Sequence, residues 1–296
     1  MCRIAYIPHP KELGAADLAD FFAHLEKRQG GDGNGLAFTD RDGVIHAVKG
    51  VSFPTKLLAE IASKMDKPVL FHTRNGTIGG ICNELCQPFV IDNMAFVHNG
   101  HWNGWDDAAM ALLLSGDMDG HGPINDSLTA ATLAIKRGRH SLEAIRTGVF
   151  VIMTPNEAWL HLRGGQFRFC EKLGVYASEF PNDWPASESI GDDAIARLLP
   201  DGPEFECGGY WKGRTVVYYY GGHYQQKAAK DDDNSEWEED NQGAATKLEE
   251  LTNHELKQLM DHPSLGEFEY GDIVGECQRR LDNETIIEDW RREYGL

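Results

Sequence analysis

The sequence opens with Met1-Cys2-Arg3-Ile4-Ala5-Tyr6-Ile7 and then breaks at Pro8 and Pro10. The run from Arg3 to Ile7 is short, apolar and rich in β-forming residues, so it predicts a buried first strand. Initiator methionine is usually removed before a small second residue, which would leave Cys2 with a free α-amino group beside its thiol. Reference pKa values of about 8.5 for the thiol and about 7.7–8.0 for the amine allow the neutral amine to accept the thiol proton. One residue would then supply both nucleophile and base; the alternative is a small residue that only opens a strand.

Polar groups recur at three later points of the chain. His72-Thr73-Arg74 follows a buried strand, His98-Asn99-Gly100 ends another, and Asn125-Asp126-Ser127 opens a helical pattern. The glycine-rich stretch 29–35 (QGGDGNG) is predicted to be a loop, either a flexible turn or backbone placed close to a ligand.

The remaining pattern places strands at both ends of residues 1–222 and helices between them. Helices are predicted at 15–27, 54–64, 106–114, 126–136 and 141–146. Strands are predicted at 3–7, 36–38, 44–48, 69–71, 89–91, 94–97, 149–153, 158–162, 166–170, 175–176 and 215–220. This order favours layers of sheet and helix over alternating βαβ units.

Composition and charge limit the class of protein. A chain of 296 residues that is 41% hydrophobic can bury one large core or two modest ones. The net charge of -19 argues against a nucleic-acid backbone as the direct ligand, because phosphates repel acidic surfaces. No stretch approaches the length of a membrane span, and the N-terminus lacks the apolar core of a signal peptide. We therefore expect a cytoplasmic protein, away from membranes, with free thiols at its six cysteines.

The acidity is concentrated towards the C-terminus. Residues 227–296 hold 20 acidic and 8 basic side chains, and the run 230–240 (KDDDNSEWEED) indicates a solvated linker. Two helical patterns follow, the first opened by a capping box at Thr252 and Glu255. We predict a main domain over residues 1–222, an acidic linker over 223–245 and a helical tail over 246–296.

In order and spacing, residues 2–220 resemble the class II glutamine amidotransferases. These are the N-terminal-nucleophile amidase domains of enzymes such as glucosamine-6-phosphate synthase and glutamine phosphoribosylpyrophosphate amidotransferase. The resemblance rests on Cys2, Asp32-Gly33-Asn34-Gly35, Phe71-His72-Thr73-Arg74 with Thr77 three residues on, Phe96-Val97-His98-Asn99-Gly100, Asp126-Ser127 and Ala177-Ser178-Glu179. It implies an α+β fold, the four-layer αββα sandwich of N-terminal nucleophile hydrolases, here with a small helical C-terminal tail.

The same resemblance implies the catalytic groups. Cys2 would attack the side-chain amide carbon of glutamine, ammonia would leave, and water would hydrolyse the thioester to glutamate. The side-chain amide of Asn99 and the backbone N–H of Gly100 would stabilise the tetrahedral oxyanion. The alternative for Asn99-Gly100 is a tight hairpin turn, for which Asn-Gly is the most common sequence.

The resemblance also implies the substrate-binding residues Arg74, Thr77, His98 and Asp126. The Arg74 guanidinium would hold the substrate α-carboxylate in a bidentate contact, and its alternative is an ordinary surface ion pair. Asp126 would pair with the α-ammonium, and its alternative is a helix N-terminal carboxylate favoured by the macrodipole.

The chain departs from the family pattern around the substrate. Asn75, Gly76 and Ile78 stand where tryptophan, alanine and histidine are usual. Gln87 stands for the histidine of an Asn-x-His-Pro segment, and Arg3 stands for a glycine. None of these positions is a proposed catalytic group.

No cofactor and no metal site are expected, since Cys82 and Cys86 near His98 and His101 have an atypical spacing for zinc. The expected function is hydrolysis of glutamine, with ammonia passed to a separate synthetase or acceptor subunit docked through the C-terminal tail, or released. Two alternatives stay open: a non-catalytic scaffold or binding protein that retains the fold, and an amidase that acts on a different amide.

Overall fold

The computed structural model describes residues 2–76, 78–191 and 193–211, together with strands at 216–220 and 223–227. The strands are β1 (Arg3–Ile7), β2 (Gly33–Thr39), β3 (Ile45–Gly50), β4 (Val69–Arg74), β5 (Phe89–Ile91), β6 (Met94–Asn99), β7 (Gly148–Met153), β8 (Ala158–Arg163), β9 (Arg168–Cys170), β10 (Val175–Ala177), β11 (Glu188–Ser189), β12 (Ala194–Leu199), β13 (Gly202–Cys207), β14 (Val216–Tyr220) and β15 (His223–Lys227). The helices are α1 (Pro10–Gln29), α2 (Thr55–Ala62), α3 (Trp105–Leu114) and α4 (Asp126–Arg137), with a 3₁₀ helix at Arg139–Ala144.

Two antiparallel sheets carry the fold. The first has the strand order β11-β9-β10-β1-β4-β2-β3, and the second has the order β13-β12-β8-β7-β6-β5. Strand β1 lies inside the first sheet, where Ile4 pairs with His72 of β4 and Ala5 pairs with Ala177 of β10. The start of β1, just after Cys2, is therefore flanked by the ends of β4 and β10. Strands β14 and β15 form a two-stranded sheet of their own.

Three apolar interfaces separate four layers. Between the sheets, buried side chains such as Ile4, Tyr6, Val97 and Val151 form one core. Because side chains alternate along a strand, Ala5 and Ile7 face the other way and pack with α1 and α2. On the outer face of the second sheet, α4 buries small side chains against phenylalanines of β6 and β7. The predicted αββα sandwich is confirmed.

Several predicted elements need correction. The stretch 29–35 is not entirely a loop, because β2 begins at Gly33. A Cβ at Gly33 would overlap the Cys86 sulfur, and one at Gly35 would overlap the Gln87 carbonyl, so these glycines allow close packing within a strand. Helix α1 begins at Pro10, five residues before the predicted start, with a break at Gly14. The helix predicted at 141–146 is the 3₁₀ helix at Arg139–Ala144.

The sequence analysis did not predict β11, β12, β13 or β15, and β15 is a strand where the linker was predicted to begin. The rest of the linker predicted at 223–245 and the whole tail predicted at 246–296 lie outside the described residues. In the part of the chain that the structure describes, no helix is long and apolar enough to cross a membrane.

Candidate active site

A cleft of about 1200 Å³ opens at one end of the sandwich. It lies where β4 and β10 end beside the start of β1 in the first sheet, and where β6 and β8 end beside the start of β7 in the second. The predicted site residues that line it are Cys2, Arg74, His98, Asn99, Gly100 and Asp126. The remaining one, Thr77, lies outside the described residues. The fold thus brings together side chains from four distant segments.

Cys2 is held by the main chain of Asn75 and by the side chain of Arg3. The backbone N–H of Asn75 donates to the Cys2 sulfur at 3.4 Å, and the Asn75 carbonyl lies 3.8 Å from the same atom. The guanidinium of Arg3 donates to the Cys2 carbonyl at 3.0 Å. Burial raises the pKa of the Cys2 thiol, and the Asn75 N–H and the Arg74 charge oppose that rise. A thiol in this setting needs a base nearby to become a nucleophile.

Arg74 is a buried cation. It is 2% exposed, its Nη2 donates to the Ile78 carbonyl at 3.0 Å, and its Nη1 has no hydrogen-bond partner among the residues that the structure describes. A Cβ at Gly76 would lie 3.1–3.2 Å from the guanidinium, so a side chain there would cover it. The Gly76 N–H donates to Asp32 at 2.8 Å, which fixes this glycine peptide in place. The arginine is therefore not the exposed surface ion pair of the alternative interpretation.

Asn99-Gly100 is not a tight hairpin turn. Asn99 is the last residue of β6 and pairs with Val149 of β7, and neither Asn99 nor Gly100 has the positive φ that a type I′ turn requires. The Oδ1 atom of Asn99 is buried and has no hydrogen-bond partner in the described part of the chain. A Cβ at Gly100 would lie 2.7 Å from His98 Nε2 and 2.8 Å from the Gly148 Cα, so the close backbone approach requires glycine. The pair presents polar groups at the end of a strand instead.

Asp126 lies at the N-terminus of a helix and also lines the cleft. It is the first residue of α4, and Asn125 caps that helix by accepting from Leu128 N–H at 2.8 Å. The Asp126 carboxylate accepts from the backbone N–H of Ser127 at 2.8 Å and of Trp102 at 3.2 Å. It is 4% exposed and lines the cleft. These donors fix the orientation of the carboxylate at the helix N-terminus, where a negative charge is favourable.

Two buried histidines stay neutral around this site. Burial lowers the pKa of His72 to about 3 and that of His98 to about 4, although the Asp126 carboxylate acts in the opposite direction on His98. His98 Nδ1 lies 3.0 Å from Ser127 Oγ, and its ring stacks on Phe150 at a centroid distance of 4.6 Å. Since both imidazoles are uncharged near pH 7, they pack and orient their neighbours without adding charge to the cleft.

Gln87 forms paired hydrogen bonds with the main chain of His98. Its side-chain oxygen accepts from the His98 N–H at 2.6 Å and its side-chain nitrogen donates to the His98 carbonyl at 3.3 Å. The residue is 2% exposed. This paired contact satisfies both main-chain groups of His98 next to Asn99, so the departure from histidine at position 87 is accommodated.

An ion-pair network that the sequence did not predict lies beside Cys2. Glu179 accepts from Arg3 at 3.1 Å and from Arg28 at 2.6 Å, and it thereby joins the start of β1 to the end of α1. Beside it, Ser178 Oγ accepts from the Ile4 N–H at 3.1 Å. The only sequence signal was the appearance of Arg3 in place of a glycine beside the Ala177-Ser178-Glu179 segment.

No protein-family model and no curated protein matches the sequence. Among solved structures, the fold is similar to that of glutamine phosphoribosylpyrophosphate amidotransferase from B. subtilis, with a TM-score of 0.51 and 20% identity. That match covers 73% of this chain and 51% of the other, so the chain spans about half the length of that enzyme.

Two further matches have lower scores. A glutamine aminotransferase class-II domain protein from Silicibacter pomeroyi matches at 14% identity and a TM-score of 0.46, over 70% of this chain and 97% of that one. A predicted glutamine amidotransferase from Pseudomonas aeruginosa matches at 13% identity and a TM-score of 0.33, over 68% and 94%. Because the B. subtilis enzyme is only 20% identical to this chain, the match shows similarity of fold alone. The chain has the fold of a class II glutamine amidotransferase-like domain, as the sequence predicted.

Proposed function

We propose that this protein hydrolyses the side-chain amide of glutamine to glutamate and ammonia through a thioester on Cys2. The observation that carries the proposal is a pair of buried, opposite charges in one cleft with Cys2. Arg74 has a donor, Nη1, that no described residue uses, and Asp126 is oriented by backbone N–H groups. A zwitterionic amino acid offers a carboxylate to the first and an ammonium to the second.

The nucleophile requires removal of Met1 in this proposal. The free α-amine of Cys2 takes the thiol proton, which matters because burial raises the thiol pKa. The sulfur then attacks the side-chain carbonyl carbon of glutamine. The α-ammonium returns the proton to the departing ammonia as the C–N bond breaks. Water adds to the thioester, the C–S bond breaks, and glutamate leaves.

Asn99 and Gly100 stabilise the oxyanion of both tetrahedral intermediates. Asn99 is the last residue of β6, Gly100 follows it, and both line the cleft. Gly100 has no side chain that could cover its backbone N–H. One well-placed donor contributes about 2.7–4 kcal/mol to the transition state. His98 and Thr77 complete the substrate side of the proposed site.

The fate of ammonia is part of the proposal. Either a separate synthetase-like acceptor, docked through residues 246–296, receives it, or it is released. The departure at Gln87 does not favour the scaffold alternative, because paired hydrogen bonds to His98 accommodate this residue.

The test is covalent labelling with 6-diazo-5-oxonorleucine, a diazo-ketone analogue of glutamine, followed by intact and peptide mass measurement. We expect loss of Met1 and one adduct on Cys2, blocked by free glutamine. The matched control is Cys2→Ala, which should take no adduct. A retained Met1, or a processed protein that leaves Cys2 unlabelled, would contradict the mechanism and favour the scaffold.

A further inference from the structure

The cleft extends well beyond the part assigned to glutamine. Its volume of about 1200 Å³ exceeds the roughly 300–1,000 Å³ that encloses drug-sized ligands. Glutamine is smaller than such ligands. The Arg74 and Asp126 side chains account for only one end of the lining.

Strand order places the two parts of the cleft on opposite flanks of Cys2. In the first sheet, β1 has β4 with Arg74 on one side, and it has β10 and then β9 with Arg168 on the other. The second sheet lines the cleft in the same direction, with Asn99 at the end of β6, then the start of β7, then Gln166 beyond the end of β8. All these residues line the cleft. A substrate held by Arg74 therefore points past Cys2 towards Arg168.

The far part is positively charged, although the whole chain carries a net charge of -19. The cleft lining contains four arginines and two carboxylates. With Arg74 and Asp126 assigned to the glutamyl group, Arg3, Arg28 and Arg168 remain against the single carboxylate of Glu179, a formal charge of +2. We call these three arginines the arginine lobe.

Arg168 is held in place within the arginine lobe. Its Nε donates to the Ser187 hydroxyl at 2.9 Å and its Nη2 donates to the Ser187 carbonyl at 2.5 Å. Glu179 holds both Arg3 and Arg28. Fixed positive groups in a concave site attract a negatively charged ligand group.

We propose that the arginine lobe binds the amine portion of an N-substituted γ-glutamyl amide whose amine carries a carboxylate, as in a γ-glutamyl amino acid. The proposal rests on the proposed function and names a larger substrate class for the same site. Cys2 sulfur attacks the γ-carbonyl carbon and the C–N bond breaks. The amino acid leaves with the proton from the Cys2 α-ammonium, and water then converts the thioester to glutamate and free thiol.

The experiment compares three amides with the full-length, Met1-processed protein: γ-glutamyl-aspartate, the neutral γ-glutamyl-ethylamide, and glutamine. Mass spectrometry of released aspartate, ethylamine and glutamate gives kcat/KM for each. We expect the kcat/KM for γ-glutamyl-aspartate to be at least about tenfold higher than that for the ethylamide. One charge-assisted hydrogen bond between an arginine and the aspartate carboxylate accounts for a factor of this size. Cys2→Ala should abolish cleavage of all three.

Two variants test the lobe itself. Arg168→Gln should lower the ratio of kcat/KM between γ-glutamyl-aspartate and the ethylamide about tenfold. Arg28→Gln is the second variant, for use if Arg168→Gln does not fold. The Arg28 side chain is 60% exposed and tolerates replacement, and its loss should lower the same ratio. Arg197→Gln is the matched control, since Arg197 pairs with Glu204 outside the cleft lining, and it should leave the ratio unchanged.

The outcomes separate this inference from the function on which it rests. Hydrolysis of glutamine without cleavage of γ-glutamyl-aspartate overturns the inference and leaves the proposed function intact, and so does equal cleavage of the charged and neutral amides. A protein that cleaves none of the three amides and leaves Cys2 unlabelled overturns both.

Discussion

Replacing Arg74 with methionine should stabilise the ligand-free protein while removing its affinity for glutamine. The guanidinium is 2% exposed, and none of the described residues accepts a hydrogen bond from its Nη1. A buried charged donor left unsatisfied costs about 1–3 kcal/mol, and the hydrogen bond to the Ile78 carbonyl returns about 1 kcal/mol. Methionine fills a similar volume without the charge, so the net gain is about 1 kcal/mol. That corresponds to a rise in Tm of about 2–4 °C for a domain of this size.

The assay is thermal unfolding of Arg74→Met in a Cys2→Ala background, where glutamine is not consumed. Glutamine at 100-fold its Kd should stabilise the Cys2→Ala parent by about 2.7 kcal/mol and should leave the double variant unchanged. Arg139→Met is the control: its Nη1 also has no partner among the described residues, but Arg139 pairs with Glu206 at 2.6 Å and stacks on Trp159, so its loss should lower Tm. A lower Tm for ligand-free Arg74→Met would show that Arg74 is a structural residue, and the reasoning would fail.

Three further predictions concern the surroundings of the nucleophile. Asn99→Ala should lower kcat for glutamine about 10²–10³-fold with little change in KM, measured by steady-state glutamate release; a change confined to KM would contradict an oxyanion role. Gln87→Leu should lower the free energy of unfolding in urea by about 2–4 kcal/mol, because it leaves both main-chain groups of His98 unpaired; a loss below about 1 kcal/mol would contradict this. In the unfolded chain, His72 and His98 bind protons below about pH 6.5. In the folded protein their pKa values are about 3 and about 4, so they stay neutral to lower pH. The free energy of unfolding should therefore fall as the pH drops from 6.5 to 4. Urea titrations at several pH values give the free energy of unfolding as a function of pH. This free energy should depend less steeply on pH in His72→Gln, and an unchanged dependence would refute a lowered pKa for His72.

Local sequence predicts the strands that carry the site because each is a dense apolar run. The run that starts at Val69 stays buried through Arg74, so the strand and its polar end were both predictable. The pair Asn99-Gly100 was ambiguous, since the same two residues suit a hairpin and a strand end. The ambiguity ends only with the pairing of Asn99 and Val149, which are far apart in sequence.

The features that the sequence did not reveal depend on long-range packing. Burial of Arg74 follows from the Gly76 peptide and its contact with Asp32, which no local pattern encodes. The pair Arg3–Glu179 joins residues 176 positions apart. Glycines at 33 and 35 suggested a loop because glycine weakens an isolated strand, whereas here the close approach of the Cys86 side chain to Gly33 and of the Gln87 carbonyl to Gly35 requires them. Strand propensity depends on such context, so β11 to β13 went unpredicted.

The position of β1 between β4 and β10 has a consequence for biosynthesis. The first neighbour is complete at Arg74, but the second begins only at Val175. At about 5–20 residues per second, a ribosome needs roughly 10–35 s to lengthen the chain from Cys2 to Val175. During that interval the edge of β1 that later pairs with β10 has no partner strand, and Ser178 and Glu179 have not yet been added beside the start of β1. The removal of Met1 that the proposed mechanism requires therefore has roughly 10–35 s before the start of β1 is covered.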